Sequence, residues 1–574
     1  MHTLADERII QEYENYILAN GIDEIVIDGY VQASQIILSG RKDREYGLKV
    51  SARAKELIES YILSTTGGTV WDLEKYSFAN NTWYQILDQY YEVLLVEAQN
   101  MVVDSGFQYL EKKREPKERF YMPRRKQLIK IGLVDALQGM IDDKYDILCI
   151  SLIPGAGKTS IEKFFNALII GWFPKDFNLF YSHSGDITRM YYDGVLDIVT
   201  NSDEYSWNEI FPDLSVTRTD AKMEQFNVGK YKPFPSVQCT SVGSKNAGKV
   251  RASKFLLVDD MIGGIEEALN PMILDKLWNK YAVDARQRKI QDTDGKNCKE
   301  IHIATRWSVN DVIGRIQRMY DGNPRVKVIA VPDVDPITGE SNFDYEYSGF
   351  TTEFFADQQL LMDDISYKCL YKQEPIEREG LLFPEDKIRR YLNLPHGEPE
   401  IITAQCDTKG KGTDYFVMPV LQKYGDEWYC VDCVCDNSAD YEMQYENASN
   451  VLVNNSVQEC EFESNAGGDR VALEVNKRVE SKGWICNITS RPTETNKEAR
   501  IFQCSSWILN NVIFKDASLY TPKEPYGVMM SLLKQYSVSG KKQLDDVPDV
   551  FSNFALRVQK KDRVRGTMII QSPI

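Results

Sequence analysis

Histidine is scarce in this chain, with four in 574 residues. Cys430, Cys433 and Cys435 cluster as CVDCVC, but no second CxxC and no nearby histidine completes four zinc ligands. Strand cysteines are the better reading. Long hydrophobic runs are missing too: no stretch of about 18 uncharged apolar residues exists, so no membrane span is expected. The segment MHTLADERII carries acids and no apolar signal core, so the expectation is a chain that is not secreted. The eleven cysteines are scattered, as suits a reducing cytosol. No internal repeat or low-complexity segment is evident. Positive charge is outweighed, 68 Lys and Arg standing against 85 Asp and Glu for a net charge of −17. That excludes a simple DNA-coating protein, because phosphate binding rests on Lys and Arg. It leaves room for a weak, transient and salt-sensitive grip. A hydrophobic content of 43% is ordinary for globular folds, and the length suits about three or four domains.

Residues 148–160 read LCISLIPGAGKTS. An apolar strand runs into a Gly-rich turn that opens a helix. Backbone N–H groups in such a loop bind phosphate oxygens, and glycines let the backbone come close. The helix N-terminus adds its partial charge. Gly155, Ala156, Gly157, Lys158, Thr159 and Ser160 form the candidate loop, with Lys158 expected at the β/γ-phosphates and Thr159 on Mg²⁺. The full pattern asks for a glycine where Leu152 stands, so the loop is a variant, with Gly155 compensating in part. Residues 255–260, FLLVDD, form a strand ending in two acids. Asp259 is placed to hold Mg²⁺ through water. Asp260 stands where many such ATPases carry a water-orienting glutamate, and it is one methylene shorter. A third strand, in EIHIATRWSVNDVIGR (300–315), ends in Thr305, Arg306 and Trp307. These residues are expected near the γ-phosphate, where a polar sensor would couple hydrolysis to movement. The substrate implied is ATP with Mg²⁺.

The order of GAGKTS, GKVRASKFLLVDDMIGG (248–264), ATRWSVNDVIGR (304–315), YKQEPIEREGLLF (371–383), QCDTKGKGTDYF (405–416), ECEFESNAGG (459–468), TNKEARI (495–501) and LDDVPD (544–549) resembles the large terminase subunit of tailed bacteriophages. The resemblance covers about residues 120–560 and implies a motor that packages DNA, joined to a nuclease. It implies as partners double-stranded DNA, a small terminase subunit and a portal protein. It also implies a pentameric ring on the procapsid, in the host cytoplasm. PRRKQLIKIG (123–132) resembles the family's adenine-contacting segment, with Gln127 and either Arg124 or Arg125 as contacts. The chain departs from the family inside the P-loop, where many terminases carry an arginine and residues 153–156 here are Ile-Pro-Gly-Ala. That charge must move, come from a neighbouring subunit, or be absent. Arg251 is the first candidate finger, expected to face the phosphates because it precedes the Asp259 strand; Arg306 is the second.

Residues 399–435 alternate β-branched and aromatic residues as a three-stranded meander, the first strand ending at Asp407. VQECEFES (457–464) forms a fourth strand ending near Glu463, and a helix-spaced segment follows with Gly at its stop. This β-β-β-α-β order suits an RNase H-like fold, which brings Asp407, Glu463 and an acid from a late helix together. Like charges so close persist only with a cation, and Mg²⁺ or Mn²⁺ with oxygen ligands fits. Two ions at about 4 Å would activate water and stabilise the leaving oxygen of a phosphodiester. The late acid comes from Asp545, Asp546 and Asp549. The resemblance favours Asp546, with Asp549 one helical turn on. Asp414 matches the second acid of the family's first nuclease motif, or caps a turn. Lys497 and Arg500 either contact DNA phosphate or form a solvated helix face.

The expectation is therefore an α/β chain. A helical accessory segment (1–120) precedes a P-loop ATPase motor with a largely parallel sheet (121–350). A connector (351–398), an RNase H-like nuclease (399–560) and a tail (561–574) follow. The activity expected is ATP-driven DNA translocation with metal-dependent endonucleolytic cutting of concatemeric DNA. A helicase-nuclease of repair or restriction would carry further helicase motifs, which are not found. A non-catalytic ATP-binding scaffold would leave the nuclease acids dispensable.

Overall fold

A computed structural model describes residues 4–39, 43–72, 81–230, 232–242, 250–290, 297–375, 382–408, 414–493, 496–537 and 543–570. The turn at 409–413 and parts of the 248–264, 371–383 and 495–501 segments lie outside them, as do residues 571–574 of the tail. No described helix is long and apolar enough to cross a membrane.

Eight short strands form the first sheet: Ile147–Ser151 (β1), Asn178–Ser182 (β2), Val216–Asp220 (β3), Gln225–Val228 (β4), Val237–Ser241 (β5), Phe255–Asp259 (β6), Lys299–Ile303 (β7) and Val326–Ala330 (β8). Their order is β3-β4-β5-β2-β6-β7-β1-β8. Strands β1, β2, β6 and β7 are buried at every position, which is what a parallel sheet covered on both faces requires. All neighbours from β5 to β8 run parallel. The β3–β4 hairpin extends the edge antiparallel. Its first strand is largely exposed, so no apolar pattern announces it. The register pairs Ser182 with Asp259 and Asp259 with Ile303. The loops that follow β1, β2, β6 and β7 therefore meet along one edge.

Helices Leu4–Asn20 (α1), Glu24–Ser39 (α2), Arg44–Thr66 (α3), Asn81–Gln99 (α4) and Val103–Leu110 (α5) precede the sheet. Val26, Tyr30, Leu57, Leu94 and Phe107 share one hydrophobic core with Leu148 of β1 and Phe164 and Leu168 of the helix Lys158–Trp172. The approach is close: a Cβ at Gly106 would stand 2.6 Å from Leu168 Cδ1. The helix Tyr121–Lys130 (α6) is pinned by this segment. The buried Glu111 carboxylate accepts the N–H groups of Phe120, Tyr121 and Met122 at 2.7, 3.1 and 2.7 Å, satisfying donors that a helix start leaves open. The Lys158–Trp172 helix is α7 below.

The second sheet comprises Arg390–Tyr391 (β9), Ile401–Cys406 (β10), Phe416–Tyr424 (β11), Glu427–Asp436 (β12), Glu459–Glu463 (β13), Asn487–Arg491 (β14) and Val512–Lys515 (β15), in the order β14-β13-β10-β11-β12-β15-β9. Strands β10, β11 and β12 form the antiparallel meander, and β13 joins β10 in parallel. Helices Lys497–Asn511 (α8) and Asp546–Ile570 (α9) complete this half. Phe551 and Phe554 of α9 are fully buried against β12 and β15 residues such as Trp428 and Phe514. Cys430, Cys433 and Cys435 are buried in the same core. The chain is thus α/β, with a helical N-terminal segment, a mostly parallel first sheet and an RNase H-like C-terminal domain.

Candidate nucleotide and metal sites

At the edge of the first sheet, β1 ends and residues 152–157 turn into α7. Gly155 and Gly157 have φ of +79° and +91°, conformations open to glycine. Cβ atoms there would meet Phe350 at 2.9 Å and Phe120 at 2.4 Å. Lys158 Nζ donates to the Leu152 carbonyl at 2.7 Å and to Thr305 Oγ1 at 3.1 Å. Thr159 Oγ1 donates to Asp259 Oδ2 at 2.9 Å. The structure therefore gathers Gly155–Ser160, Asp259, Asp260 and Thr305. Burial, with Asp260 alongside, pushes the Asp259 carboxyl up to about 6. Burial also raises Asp260 and lowers Lys158. A hydroxyl beside a buried acid whose negative charge is costly without a counter-ion fits Mg²⁺ on Thr159 and Asp259.

Helix α6 brings Arg124 to this edge, its guanidinium 4.8 Å from the Phe120 ring centroid and 5.1 Å from that of Tyr345. Arg125 is held elsewhere, in two 2.8 Å bonds to both Asp104 carboxylate oxygens. Of the two arginines, Arg124 stands beside the loop. Gln127 donates to the Asp344 carbonyl at 2.9 Å from a half-buried position.

Neither proposed arginine finger reaches the loop. Arg251 precedes β6 by four residues, and its N–H meets Gln238 Oε1 near the start of β5. It therefore sits at the N-terminal edge of the sheet, opposite Asp259. Parallel strands carry charge at the two ends to opposite edges, which the sequence argument overlooked. Arg306 is 5% exposed and already engaged: Nε donates to Asp311 Oδ2 at 2.7 Å and Nη1 to Gln317 Oε1 at 2.8 Å. Asp311 in turn caps the helix Val312–Met319, accepting the Gly314 N–H at 2.7 Å. Arg306 anchors the loop after β7. Trp307 packs with Leu269, Cys369, Ala499 and Phe502.

Glu162 was missed by the motif reading. It lies one turn beyond Lys158 and is fully buried, with neither carboxylate oxygen hydrogen-bonded among the described residues. Burial, and then Asp259, holds its carboxyl well above the usual range. The only sequence signal is an acid inside the apolar run IEKFFNALII.

In the second half, Asp407 follows β10, Glu463 ends β13 and Asp549 lies in the first turn of α9. Carboxylate oxygens of these three lie within 4.8 Å of one another. Burial, opposed by Lys497 and reinforced by Asp549 and Glu463, raises Asp407 well above the usual range. Such a set fits a hard divalent cation. Asp546, one turn earlier than Asp549, turns aside to accept the Tyr415 N–H at 2.9 Å. The structure thus places Asp549, rather than Asp546, in the compact group. Asp546 remains close enough to raise Asp407.

Lys497 and Arg500 face this group and are not a solvated helix face. Arg500 is 3% exposed and donates to Asp549 Oδ1 from Nη2 at 2.5 Å and from Nε at 3.0 Å. Lys497 Nζ lies 2.8 Å from Asp545, 3.2 Å from Asp549 and 3.7 Å from Asp546. Burial lowers the Lys497 ammonium, but the acids outweigh it and hold it above its ordinary value.

The fold and the two sites define a class: a P-loop nucleotide site and an RNase H-like acidic cluster on one chain. Residues 405–553 match the family model described as the terminase RNaseH-like domain. No curated protein matches the chain. Solved structures similar to it include the large terminase of bacteriophage HK97, at 10% identity over 74% of this chain and 94% of that one, with a TM-score of 0.32. The large terminase of the thermophilic bacteriophage D6E in complex with ADP aligns at 12% identity over 75% and 98%, with a TM-score of 0.33. The manganese-soaked, inhibitor-bound terminase nuclease domain of human cytomegalovirus aligns at 10% identity over 30% and 94%, with a TM-score of 0.25. At these scores the likenesses add nothing to what the residues show.

Proposed function

We propose that this chain is the large subunit of a viral terminase, which translocates double-stranded DNA into a procapsid at the expense of ATP and cuts concatemeric DNA with a metal-dependent endonuclease. One observation carries the reading: a Lys158–Thr159–Asp259 phosphate site and an Asp407–Glu463–Asp549 cluster occur together, the latter within a terminase nuclease segment. The expected partners are duplex DNA, a small terminase subunit and a portal protein, with a pentameric ring forming on the procapsid in the host cytoplasm. The 1–120 segment is an accessory to the motor, and residues 121–350 and 399–560 are its catalytic units.

At the first site the loop N–H groups and Lys158 take up phosphate charge, and Arg124 with Gln127 faces the base. Asp260 orients water toward the γ-phosphorus. A bond forms from that water to phosphorus as the bond to the β,γ-bridging oxygen breaks. The electron pair leaves with ADP, and the water proton passes to the Asp260 carboxylate, whose raised proton affinity suits it as acceptor. Divalent ions, when bound, offset phosphate charge at the first site and activate water at the second. Thr159 and Asp259 would hold the first ion; Asp407, Glu463 and Asp549 would hold Mg²⁺ or Mn²⁺ at the second, with Asp546 beside them. With Arg251 at the opposite edge of the sheet and Arg306 engaged by Asp311, the additional positive charge for phosphoryl transfer comes from a neighbouring subunit of the ring.

The test is cleavage of supercoiled plasmid by wild type and Asp407→Ala with Mg²⁺, Mn²⁺ or EDTA, beside ATP hydrolysis by wild type and Lys158→Ala. Metal-dependent cutting lost in the first variant and hydrolysis lost in the second are expected. Full ATP turnover by Lys158→Ala, or cutting by Asp407→Ala at the wild-type rate, overturns the reading of that site.

A further inference from the structure

Asp260 has a φ of +43°, in the left-handed region that non-glycine residues seldom occupy. Such a conformation persists only where the surroundings hold it. Asp260 N–H donates to the Ile303 carbonyl at 2.8 Å. The Thr305 backbone N–H favours its charged carboxylate, while Oδ1 is buried without a hydrogen-bond partner among the described residues. Its carbonyl accepts from Nδ1 of His183. A carbonyl can only accept, so Nδ1 carries the proton and the tautomer is set.

His183 is the residue after β2, and the Ser182–Asp259 register sets it beside Asp260. No motif in the sequence singles it out. In a left-handed residue the carboxylate leaves the strand in a different direction from that of an extended one. Asp260 is also one methylene shorter than the glutamate usual at this place, so its direction matters more.

We propose that His183 is a positioning residue for ATP hydrolysis, holding the Asp260 carbonyl so that the short carboxylate stays aimed at the attacking water. The inference rests on the reading of Asp260 as the water-orienting acid. Two of the three ties on Asp260 come from the β7 edge, and His183 supplies the one from β2. Without it nothing from β2 resists rotation about φ of Asp260, and that rotation carries the carbonyl and the carboxylate together, since both hang from Cα.

The test uses the full chain with His183→Ala, His183→Asn and His183→Gln. Asparagine places an N–H donor close to where Nδ1 stands, whereas glutamine places it one bond further out. Steady-state ATP hydrolysis is measured beside binding of a fluorescent ATP analogue with Mg²⁺. For His183→Ala, kcat is expected to fall roughly 10- to 100-fold, the loss that about 1 Å of misplacement brings. Nucleotide affinity should stay within about twofold, since only the reacting geometry is disturbed. His183→Asn should recover most of kcat and His183→Gln should not. Wild-type turnover by His183→Ala overturns the proposal, as does equal turnover by the Asn and Gln variants, which needs no alanine variant to fold. Asp260→Asn is assayed alongside. If it hydrolyses ATP at the wild-type rate, the reading of Asp260 fails and this inference with it. If Asp260→Asn is inactive and His183→Ala is normal, only the role of His183 fails.

Discussion

Replacing Arg306 by alanine separates an arginine that serves chemistry from one that serves the fold. Its guanidinium and the Asp311 carboxylate are 6% and 5% exposed and 2.7 Å apart. Removing one member of such a pair leaves a buried charge uncompensated, which costs about 3–5 kcal/mol. Asp311 also caps the helix after the loop through the Gly314 N–H, a contribution of about 1 kcal/mol. The same Asp311 carboxyl is pushed up by burial, with Arg306 opposing that shift, so the variant should take up a proton there and recover part of the loss. The expected net effect for Arg306→Ala is a fall in unfolding midpoint of roughly 10 °C, at about 2–4 °C per kcal/mol for a domain of this size. Asp311→Ala should lose a similar amount, and the double variant should be far less destabilised than the sum of the two. The assay is thermal unfolding without nucleotide, followed by ATP turnover at a temperature where every variant is folded. Turnover there should fall modestly, through a loosened Thr305. A variant with wild-type stability and hydrolysis reduced about a thousandfold, as loss of an arginine finger brings, would refute the structural assignment.

Three further outcomes follow from the same geometry. In EDTA and without nucleotide, Asp259→Asn should be more stable than wild type above pH 6. A carboxyl raised from 3.8 to about 6 favours folding only while protonated, and that advantage of about 3 kcal/mol disappears as pH rises through 6; a stability difference between the two proteins that does not change between pH 4 and pH 8 refutes it. Calorimetric titration with Mn²⁺ should show binding abolished in Asp549→Ala but weakened about tenfold or less in Asp546→Ala, and the reverse order would return Asp546 to the centre of the site. Gly157→Ala combines a φ of +91° with a Cβ 2.4 Å from the Phe120 ring, so ATP affinity should drop by about 2 kcal/mol or more, which competition against a fluorescent nucleotide would read; unchanged affinity would show that the loop need not keep this shape.

Much of the architecture was legible because each strand that leads to a candidate site is a short apolar run ending in the residues gathered there. FLLVDD and DILCISLI carry their own boundaries, and the strand ends line up at one edge once the strands are parallel. The P-loop lysine and threonine needed only local spacing. The β3–β4 hairpin was illegible because its exposed strand has no burial pattern. Arg251 was misread because sequence proximity to Asp259 says nothing of which end of a strand a residue occupies. Arg306 was misread because its partner Asp311 is in sequence view, yet only packing shows the pair to be buried. The choice between Asp546 and Asp549 turns on helical phase. Both lie in the first turn of α9, and the Tyr415 N–H draws one carboxylate away. His183 left no signal at all, since its role depends on the adjacency of β2 and β6, which are far apart in the chain.

Helix α8 shows how the two halves come to share one set of residues. At 3.6 residues per turn, Lys497 and Arg500 point to one side, and Ala499 and Phe502 lie roughly opposite. The first side meets Asp545 and Asp549. The second packs against Leu269 and Trp307, the residue two positions beyond the threonine that holds Lys158. The alternation of charged and apolar residues in NKEARIF thus reads as a helix whose charged side meets the acids and whose apolar side is packed, so Lys497 and Arg500 do not form a solvated face. Any displacement of the Thr305–Trp307 loop meets a helix whose other face holds the carboxylates of the second site.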